Sequence, residues 1–303
     1  MKILVTGGAG FIGSHIVDAY LDDGHKVVVL DNLSTGRREN LNPAAEFQYM
    51  DIQDTEVAAL FERHGFDVVN HQAAQMDVRR SVEDPVYDAR NNILGLLNIL
   101  QNCVRHGVKR VIFASSGGAV YGEQEVFPAD ENHKTDPCSP YGVTKLTGEK
   151  YLYFYAMTYG LTYTALRYAN VYGPRQNPHG EAGVVAIFCQ KLLSGETPVI
   201  NGDGGQTRDF VYVGDVVRAS VLSLGLEKSE IVNIGTGLET DINDIFRRLN
   251  KLSGANAPEK HGEGKAGEQR RSVIDSSRAG RVMGWQPQVD LDRGLAETID
   301  YFK

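Results

Sequence analysis

Tyr141 and Lys145 are the first residues whose types and spacing could do chemistry, four residues apart in the segment PYGVTK at 140–145. Ser139 is a plausible helix N-cap and Pro140 suits the first helical position, so a helix should begin there. The two side chains would then share one helix face. A free tyrosine has a pKa of about 10, and a nearby ammonium group lowers it. The pair could therefore act as a proton-accepting tyrosine assisted by a lysine, although such a pair is also typical of a solvated helix surface.

The segment GGAGFIG at 7–13 has a glycine spacing that could bind a dinucleotide. Gly8, Gly10 and Gly13 fit the pattern G-x-G-x-x-G. Counted from Gly7, the same segment also fits G-x-x-G-x-x-G. Glycines in this spacing permit a tight turn, a close approach of the backbone to a pyrophosphate, and close packing of a helix on a strand. An apolar run precedes the segment and a helical pattern follows it, so the first N–H groups of that helix would face the phosphates.

Asp31 stands at the end of the second apolar run. A carboxylate there can bond both ribose hydroxyls and would repel a 2′-phosphate, which favours NAD over NADP. Asp31 and Asn32 could also simply start a turn. Arg37 and Arg38 could hold a 2′-phosphate, but we prefer to interpret them as solvated loop charges or contacts with the cofactor's own phosphates. Asp51, after the third run, could bond the adenine amino group. The sequence therefore predicts NAD as the cofactor.

Short apolar runs and helical patterns alternate over the first 170 residues and would position these groups. The predicted strands cover residues 2–6, 26–30, 46–50, 67–71, 110–115 and 162–168. The predicted helices cover about 11–21, 55–64, 86–106 and 140–159. Apolar strands without alternation are typical of a parallel sheet whose two faces are covered by helices. We therefore expect an α/β fold, a Rossmann-like doubly wound parallel sheet with a smaller C-terminal α/β substrate lobe.

The character of the sequence changes after about residue 170, where glycine and proline punctuate short segments. Two later runs, 210–213 and 231–234, look like further short strands. We expect residues 1–169, with returning strands at about 210–237, to form an NAD-binding domain. Residues at about 170–209 and 238–303 would form the substrate lobe.

Composition and charge restrict the function classes. The 303 residues contain 31 Lys and Arg against 39 Asp and Glu, a net charge of −8, so neither a nucleic-acid partner nor a membrane surface is expected. No apolar run approaches the roughly 18 residues of a transmembrane helix, and 2–6 reads as a core strand rather than part of a signal peptide. Three distant cysteines argue against a disulfide framework and a cysteine metal site. We expect a cytoplasmic protein without a metal.

Taken together, the motifs resemble those of the extended short-chain dehydrogenases/reductases, and among them the UDP-glucose 4-epimerases. The resemblance covers essentially the whole chain. Its motifs are GGAGFIG at 7–13, DNLSTG at 31–36, HQAAQ at 71–75, SSGGAVYG at 115–122, PYGVTK at 140–145, RYANVYGPRQ at 167–176, QTRDFVYVGDV at 206–216 and IDSSRAGRVMGW at 274–285. It implies an NAD-dependent isomerase that inverts C4 of UDP-galactose or UDP-glucose, and in some members of N-acetylated forms. It also implies a homodimer in which the helices near 86–106 and 140–159 of two subunits form a four-helix bundle.

The resemblance implies roles for individual residues. Tyr141 would be the catalytic base, and Lys145 would hold the nicotinamide ribose and lower the tyrosine pKa. The other positions implied to bind NAD are Gly7, Gly10, Phe11, Ile12, Gly13, Asp31, Asn32, Ser34, Gly36, Asp51, Ile52, Ala73, Ala74, Gln75, Asn92, Ser115 and Tyr168. Those implied to bind the UDP-sugar are Ser116, Gly117, Asn170, Val184, Val185, Val199, Asn201, Arg208, Glu268 and Ser272.

In the implied reaction, Tyr141 would take the proton from the sugar 4-hydroxyl while C4 passes a hydride to NAD⁺. The 4-keto sugar would turn over in its pocket, and the hydride would return to its other face. Because NAD is regenerated in each cycle, it could stay tightly bound. Ser272 aligns with a gate beside the sugar C2 substituent, where a small residue would leave room for an acetamido group. Ser272 could instead end a strand and face solvent.

The sequence departs from the epimerase pattern at Gly117. Many members carry a third hydroxyl residue after the two serines, and it bonds the sugar O4. The glycine could let the substrate approach the backbone closely, or Tyr141 could contact O4 directly or through water. Ser116 is adjacent, but neighbouring strand residues point to opposite faces, so we expect it to be a poor substitute. We expect Gly117→Ser to be tolerated, with an unchanged or higher rate.

Three other functions are compatible with the same fold. A sugar-nucleotide 4,6-dehydratase places an acidic residue after the serine or threonine, whereas 117–119 reads GGA, so we rank it below an epimerase. A UDP-glucuronate epimerase or decarboxylase would need a cation for the C5 carboxylate, which the sequence does not assign. A non-catalytic NAD-sensing protein commonly lacks the Tyr–Lys pair that this chain retains.

Overall fold

A computed structural model of the 303-residue chain describes residues 1–179, 183–264 and 269–303. Its strands are β1 (Lys2–Thr6), β2 (Lys26–Asp31), β3 (Glu46–Tyr49), β4 (Val68–His71), β5 (Arg110–Ser116), β6 (Thr162–Tyr168), β7 (Asn170–Tyr172), β8 (Val199–Asn201), β9 (Thr207–Arg208), β10 (Phe210–Tyr212), β11 (Glu230–Ile234), β12 (Thr240–Asp241), β13 (Lys260–Gly262) and β14 (Arg271–Ser272). In these described ranges no helix is long and apolar enough to cross a membrane.

The helices are α1 (Phe11–Asp22), α2 (Val57–His64), α3 (Val78–Glu83), α4 (Pro85–Ala89), α5 (Gly95–Arg105), α6 (Gly117–Val120), α7 (Pro140–Tyr159), α8 (Val184–Leu193), α9 (Val213–Ser223), α10 (Ile242–Ser253), α11 (Ser277–Met283) and α12 (Leu291–Phe302). A 3₁₀ turn covers Arg38–Asn40, and a π-helical turn covers Arg90–Leu94.

Seven parallel strands form the central sheet in the order β11-β6-β5-β4-β1-β2-β3. The chain runs outward from β1 to β3, returns to the other side of β1, and continues outward through β4, β5 and β6. The carboxyl ends of β1 and β4 therefore flank the point where the strand order reverses, which is where such sheets bind ligands. The predicted doubly wound parallel sheet is confirmed, and its six predicted strands lie within one residue of their expected ends.

Helices cover both faces of this sheet. On one face α2, α5 and α7 pack through side chains such as Phe61, Leu100 and Leu152. On the other face α1 and α9 pack through side chains such as Ile16 and Val216. Because both faces are covered, β1 and β2 are buried along almost their whole length, which explains why their sequences are apolar without alternation.

Two elements differ from the sequence-based expectation. The predicted helix at 86–106 consists of α4, the π-helical turn and α5, because the wider turn interrupts the regular repeat. Of the two segments expected to return to the sheet, 231–234 does so within β11, at the sheet edge. The segment 210–213 instead forms β10, which pairs with β7 in a separate two-stranded sheet and leads directly into α9.

The C-terminal part of the chain has a core of its own. Helices α8, α10 and α12 pack together through side chains such as Phe188, Ile245 and Leu295. Short strands connect this core to the sheet edge, with β9 between β12 and β14, and β8 paired with β13. The residues that follow β9 and β14 contact the carboxyl ends of the sheet strands: the Asp209 carbonyl oxygen accepts from the Asn170 N–H (2.8 Å), and Ile274 lies beside Gly117.

Candidate active site

The glycine loop after β1 closes tightly around the start of α1. Gly7 has a φ of +71°, and a Cβ there would lie 2.6 Å from the Ala73 nitrogen. A Cβ on Gly13 would lie 2.1 Å from the Gly7 carbonyl oxygen. Gly10 precedes α1, and no side chain caps this helix end. The N-terminal N–H groups of α1 thus face the crevice beside β1 and β4, in the arrangement that binds phosphates.

Asp31 ends β2 beside this loop and is almost completely buried. Its carboxylate accepts hydrogen bonds from the Leu33 N–H (2.7 Å) and the Ala9 N–H (3.0 Å). Burial raises the pKa of Asp31, and these two hydrogen bonds oppose the rise. A Cβ on Gly36 would lie 3.0 Å from both carboxylate oxygens. Asp31 therefore both starts the turn and fixes the glycine loop at the edge of the cleft.

Most of the residues implied to bind NAD surround one cleft at the carboxyl edge of the sheet. They are Gly7, Gly10, Phe11, Ile12, Gly13, Asp31, Asn32, Ser34, Asp51, Ile52, Ala73, Ala74, Ser115, Tyr141, Lys145 and Tyr168. The sequence analysis did not select other lining residues, which include Thr35, Gln72, Met76 and Asn91. Gly36 lies behind Asp31, while Gln75 and Asn92 bond to each other and to Asp88 away from the cleft lining.

Tyr141 and Lys145 lie in the first turns of α7, on the face that packs on the sheet. The Ser139 hydroxyl accepts a hydrogen bond from the Gly142 N–H (3.1 Å), so the predicted N-cap is confirmed. Lys145 is 4% exposed and its Nζ donates to the Ala114 carbonyl oxygen (2.9 Å). The Nζ atom is 5.7 Å from the centre of the Tyr141 ring. The lysine is thus buried and the tyrosine beside it is half-buried, so the pair does not lie on a solvated helix surface.

Burial controls how both groups titrate. It raises the pKa of Tyr141, and a hydrogen bond with the Ser116 side chain opposes that rise. Burial also lowers the pKa of Lys145 to about 8, and the Asp88 carboxylate acts in the opposite direction. The protein groups by themselves therefore favour the protonated phenol, because removal of the ring hydroxyl from water outweighs the hydrogen bond. The lower tyrosine pKa implied by the resemblance is not a property of these side chains alone.

The two serines that end β5 contact different side chains of α7. The Ser115 hydroxyl donates to Glu149 Oε1 (2.6 Å). The Ser116 side chain bonds to Tyr141. Ser116 is thus the serine beside the tyrosine. The expectation that it is a poor substitute for a third hydroxyl toward the sugar O4 stays a prediction.

Gly117 follows directly and begins α6. A Cβ there would lie 2.8 Å from Ile274 Cδ1 and 3.3 Å from the Arg167 carbonyl oxygen. Ile274 is 1% exposed and pairs by a β-bridge with Ala129. The isoleucine side chain thus occupies the space beside the glycine.

The residues implied to bind the UDP-sugar lie on several elements. Asn170 is exposed at the start of β7, and Val184 and Val185 open α8. Val199 and Asn201 lie in β8. Glu268 lies outside the described residues.

Arg208 and Ser272 are direct partners across the β9–β14 pair. The Arg208 guanidinium donates to the Thr207 carbonyl oxygen (2.8 Å). Ser272 is 4% exposed, so it does not face solvent. In the described ranges, no three His, Cys, Asp or Glu side chains are arranged to hold a metal ion.

A model of the NAD dependent epimerase/dehydratase family matches residues 3–235, more than half of the chain. The chain belongs to this family. The predictions of an extended short-chain dehydrogenase/reductase enzyme with NAD as its cofactor are therefore confirmed.

Full-length relatives and solved structures show which members of the family the chain resembles. A UDP-glucose 4-epimerase of Mycolicibacterium smegmatis is 46% identical, over 100% of this chain and 99% of its own length. The UDP-glucose 4-epimerase of Thermotoga maritima, solved with UDP-glucose, is 49% identical with a TM-score of 0.98, over 100% and 98% of the two chains. A UDP-N-acetylglucosamine 4-epimerase of Methanobrevibacter ruminantium, solved with UDP-N-acetylmuramic acid, is 37% identical with a TM-score of 0.94. The match covers 99% of this chain and 97% of that one.

The glycine loop fits the dinucleotide that this family uses. Gly7 and Gly13 leave a backbone cradle that a single Cβ at either position would fill. The uncapped start of α1 supplies N–H donors for a pyrophosphate, and Asp31 stands beyond it at the end of β2. The remaining lining side chains connect this cradle to Tyr141 and Lys145. The cleft therefore suits a ligand that extends from Asp31 to the tyrosine.

Sequence reasoning missed the charged residues behind the Tyr–Lys pair. Glu149 is 2% exposed and binds Arg167 through two hydrogen bonds of 2.8 and 2.6 Å. Its position four residues after Lys145 places it on the same helix face, which is a signal the sequence does contain. Asp88 is fully buried behind α7 and has no comparable local signal.

Proposed function

We propose that the protein interconverts UDP-glucose and UDP-galactose by NAD-dependent inversion at C4 of the sugar. The observation that carries this proposal is the group formed by the buried Lys145 and the half-buried Tyr141 and Ser116 at the carboxyl edge of the sheet, in the same cleft as the glycine cradle. Full-length identity of 46–49% to proteins named UDP-glucose 4-epimerase supports the choice of reaction.

In this reaction bound NAD supplies the reversible hydride acceptor for C4. Tyr141 Oη accepts the proton of the sugar 4-hydroxyl and later returns it to the same oxygen. Ser116 holds the tyrosine hydroxyl in place through their hydrogen bond. The Lys145 ammonium is anchored on the Ala114 carbonyl oxygen. Its positive charge would favour the phenolate form of Tyr141, which is the form that can accept this proton. Burial of the lysine keeps its charge unscreened by water.

The test is an assay of the purified protein with UDP-glucose, UDP-galactose, their N-acetylated forms and UDP-glucuronate, with the 4-epimers separated by chromatography. Wild-type protein is expected to interconvert UDP-glucose and UDP-galactose. Tyr141→Phe should keep the fold and the bound NAD but lose about 10²–10⁴ in kcat, the usual contribution of a positioned base. Tyr301→Phe, at an exposed position of α12, is the matched control and should retain full activity. Turnover of UDP-glucuronate alone, or full activity of Tyr141→Phe, would contradict the proposal.

We propose in addition that the sugar pocket admits N-acetylated substrates, with Ser272 as the gate. Ser272 is buried, and it lies two residues before Ile274, which packs on Gly117 beside the tyrosine. A tyrosine at 272 would occupy the room that an acetamido group needs. Ser272→Tyr should lower activity on UDP-N-acetylglucosamine at least about tenfold while sparing UDP-galactose.

The matched control is Ser272→Ala, which removes the hydroxyl but adds no volume and should keep both activities. If Ser272→Tyr lowers both activities equally, or changes neither, Ser272 is not the gate.

We also propose a homodimer formed by the π-helical segment and α7. The support is a set of exposed apolar side chains on neighbouring helices and turns, namely Val82, Val86, Leu94, Val143, Phe154 and Met157. Val86→Arg combined with Met157→Glu should convert a dimer into a monomer in light scattering after gel filtration, because charges would be buried in the interface. Val126→Arg, an equally exposed valine outside this set, should leave the mass unchanged. A wild-type monomer would contradict the proposal.

Two further expectations belong to the same proposal. The first is that residues 1–169 with about 210–237 bind NAD, while about 170–209 and 238–303 bind the nucleotide sugar, which the separate core around α8, α10 and α12 supports. The second is a cytoplasmic location, which three free cysteines support. Cell fractionation with an antibody to the protein tests the location.

A further inference from the structure

Asp88 is a fully buried carboxylate of α4 that bonds to Thr144, the residue before Lys145 in α7. Its Oδ1 accepts hydrogen bonds from Gln75 Nε2 (2.8 Å) and Asn92 Nδ2 (3.1 Å). Its Oδ2 accepts one from Thr144 Oγ1 (2.9 Å). Thr144 immediately precedes Lys145 in α7, so one side of the carboxylate is tied to the helix that carries the catalytic pair. Within the described residues Asp88 makes no ion pair with Lys or Arg.

A buried carboxylate without a cationic partner is costly to keep charged, and three hydrogen bonds lower that cost. Such a group commonly acts through its field on a neighbour. The neighbour here is Lys145, whose own burial lowers its pKa to about 8 and whose pKa the charge of Asp88 raises. Without that charge the ammonium form of Lys145 would be less favourable still.

Other titratable groups around Lys145 do not replace this contribution. His71, on β4, is buried, and burial lowers its pKa to about 3, so it is neutral. Tyr141 shares the helix, and burial raises its pKa, so it does not take over the role of a nearby carboxylate. Glu149, one turn further along α7, is neutralised by Arg167. The charged side chains of α3 and the π-helical turn, which are Arg79, Arg80, Glu83 and Arg90, are exposed.

We propose that Asp88 is a positioning residue that keeps Lys145 in its ammonium form and, through Thr144, holds the first turn of α7 against the cleft. This proposal rests on the proposed function for its catalytic consequence, but its electrostatic part concerns the lysine alone. The sign follows from the charges: a neutral residue at 88 removes a stabilising negative charge, so Lys145 loses its proton at lower pH than in the wild type. The alkaline limb of the activity profile should therefore shift to lower pH.

Asp88→Asn removes the charge while keeping the hydrogen bonds. The Oδ1 atom of the introduced amide can still accept from Gln75 and Asn92, and its NH₂ group can donate to the Thr144 hydroxyl. Thr144 can then give its own proton to the Tyr141 carbonyl oxygen, which already lies 2.9 Å away. The substitution thus keeps all three hydrogen bonds and adds one amide N–H without a partner, so we expect NAD content close to that of the wild type and a modest fall in melting temperature.

The direct measurement is the titration of Lys145 by NMR in protein labelled with carbon-13 at lysine Cε, with the signal assigned by its loss in Lys145→Met. In Asp88→Asn the midpoint should move to lower pH by more than about half a pH unit. The alkaline limb of kcat should move with it. Thr144→Val removes the hydrogen bond but keeps the charge, so it should lower kcat without moving the midpoint. Asp84→Asn, an exposed change of the same charge four residues earlier, should alter neither.

The midpoint of the Lys145 titration in each variant decides whether the proposal holds. An unshifted Lys145 midpoint in Asp88→Asn overturns the proposal, even if activity falls. If Asp88→Asn does not fold, Asp88→Ser replaces it, because a smaller neutral side chain leaves room for a water, and the same midpoint decides. An equal shift in Asp84→Asn would assign the effect to overall charge and also overturn the proposal. A shifted midpoint in a protein that converts no UDP-sugar would contradict the proposed function while leaving the electrostatic role of Asp88 intact.

Discussion

For the substitution Gly117→Ser, the structure reverses the expectation drawn from the sequence. The sequence alone suggests that the missing hydroxyl could be restored there without harm. In the structure the new Cβ would lie 2.8 Å from Ile274 Cδ1 and 3.3 Å from Ile274 Cγ2. The Arg167 carbonyl oxygen, at 3.3 Å, prevents the serine from moving away on that side. We therefore expect Gly117→Ser to destabilise the protein rather than to improve it.

Ile274 has little room to give way. It is 1% exposed, it is bridged to Ala129, and its Cγ1 lies 2.7 Å from where a Cβ on Gly235 would be. Overpacking of a filled site costs about 1–3 kcal/mol. For a chain of this size a loss of 1 kcal/mol lowers the melting temperature by roughly 2 °C, so a fall of about 2–6 °C is expected.

A double-mutant cycle with Ile274→Val isolates the contact, because valine lacks the Cδ1 atom that would collide. Ile274→Val alone should cost about 0.5–1.5 kcal/mol. In the double variant the two costs should not add, and the coupling energy should favour the pair by about 0.5 kcal/mol or more. Urea unfolding followed by circular dichroism measures all four proteins, and the UDP-galactose assay on the same samples shows whether the new hydroxyl changes the rate.

The neighbouring glycine provides the control. A Cβ on Gly118 would meet nothing closer than Asn170 Oδ1 at 3.6 Å, an ordinary contact, so Gly118→Ser should be as stable as the wild type. The steric explanation fails if Gly117→Ser is as stable as Gly118→Ser, or if Ile274→Val gives no coupling with it. A stable Gly117→Ser with a higher rate would restore the expectation from the sequence.

Three further predictions follow from the cleft. Gly13→Ala places a methyl group 2.1 Å from the Gly7 carbonyl oxygen, so the purified protein should release little NAD on acid treatment, and a full complement would contradict the cradle. Asp31→Ser removes the charge that repels a 2′-phosphate, so calorimetry should show the NADP affinity rising relative to NAD, and an unchanged ratio would remove Asp31 from that role. Ser116→Ala should lower kcat about tenfold or more with little loss of stability, whereas Ser115→Ala, which removes a hydrogen-bond partner of Glu149, should mainly lower stability; the reverse result would contradict the assigned partners of the two serines.

The sheet and its ligand edge could be predicted because their signals are local. Strands buried on both faces must be apolar throughout, and a glycine loop between a strand and a helix leaves few alternatives. Helix α7 begins where Ser139 predicts and covers the predicted residues 140–159, since a cap acts on its immediate neighbours. In the structure it ends at Gly160, which has a left-handed conformation. These features specified the fold class, the cofactor and the Tyr–Lys pair.

The substrate lobe was less predictable because the contacts that form it are not local in the sequence. Its strands β8, β9, β12, β13 and β14 are two or three residues long, so pairing with distant segments rather than propensity decides where they form. Ser272 is buried because β14 pairs with β9, and nothing near it in the sequence indicates this partner.

By itself, the amino-acid sequence determined which residues could do the chemistry and which edge of the sheet they would occupy. Only the tertiary structure decided which serine bonds to Tyr141, that Ile274 fills the space beside Gly117, and that a buried Asp88 stands behind Lys145. Those relations join residues far apart in the chain, and their strength depends on burial, distance and the exclusion of water. Such quantities exist only once the packed interior has formed.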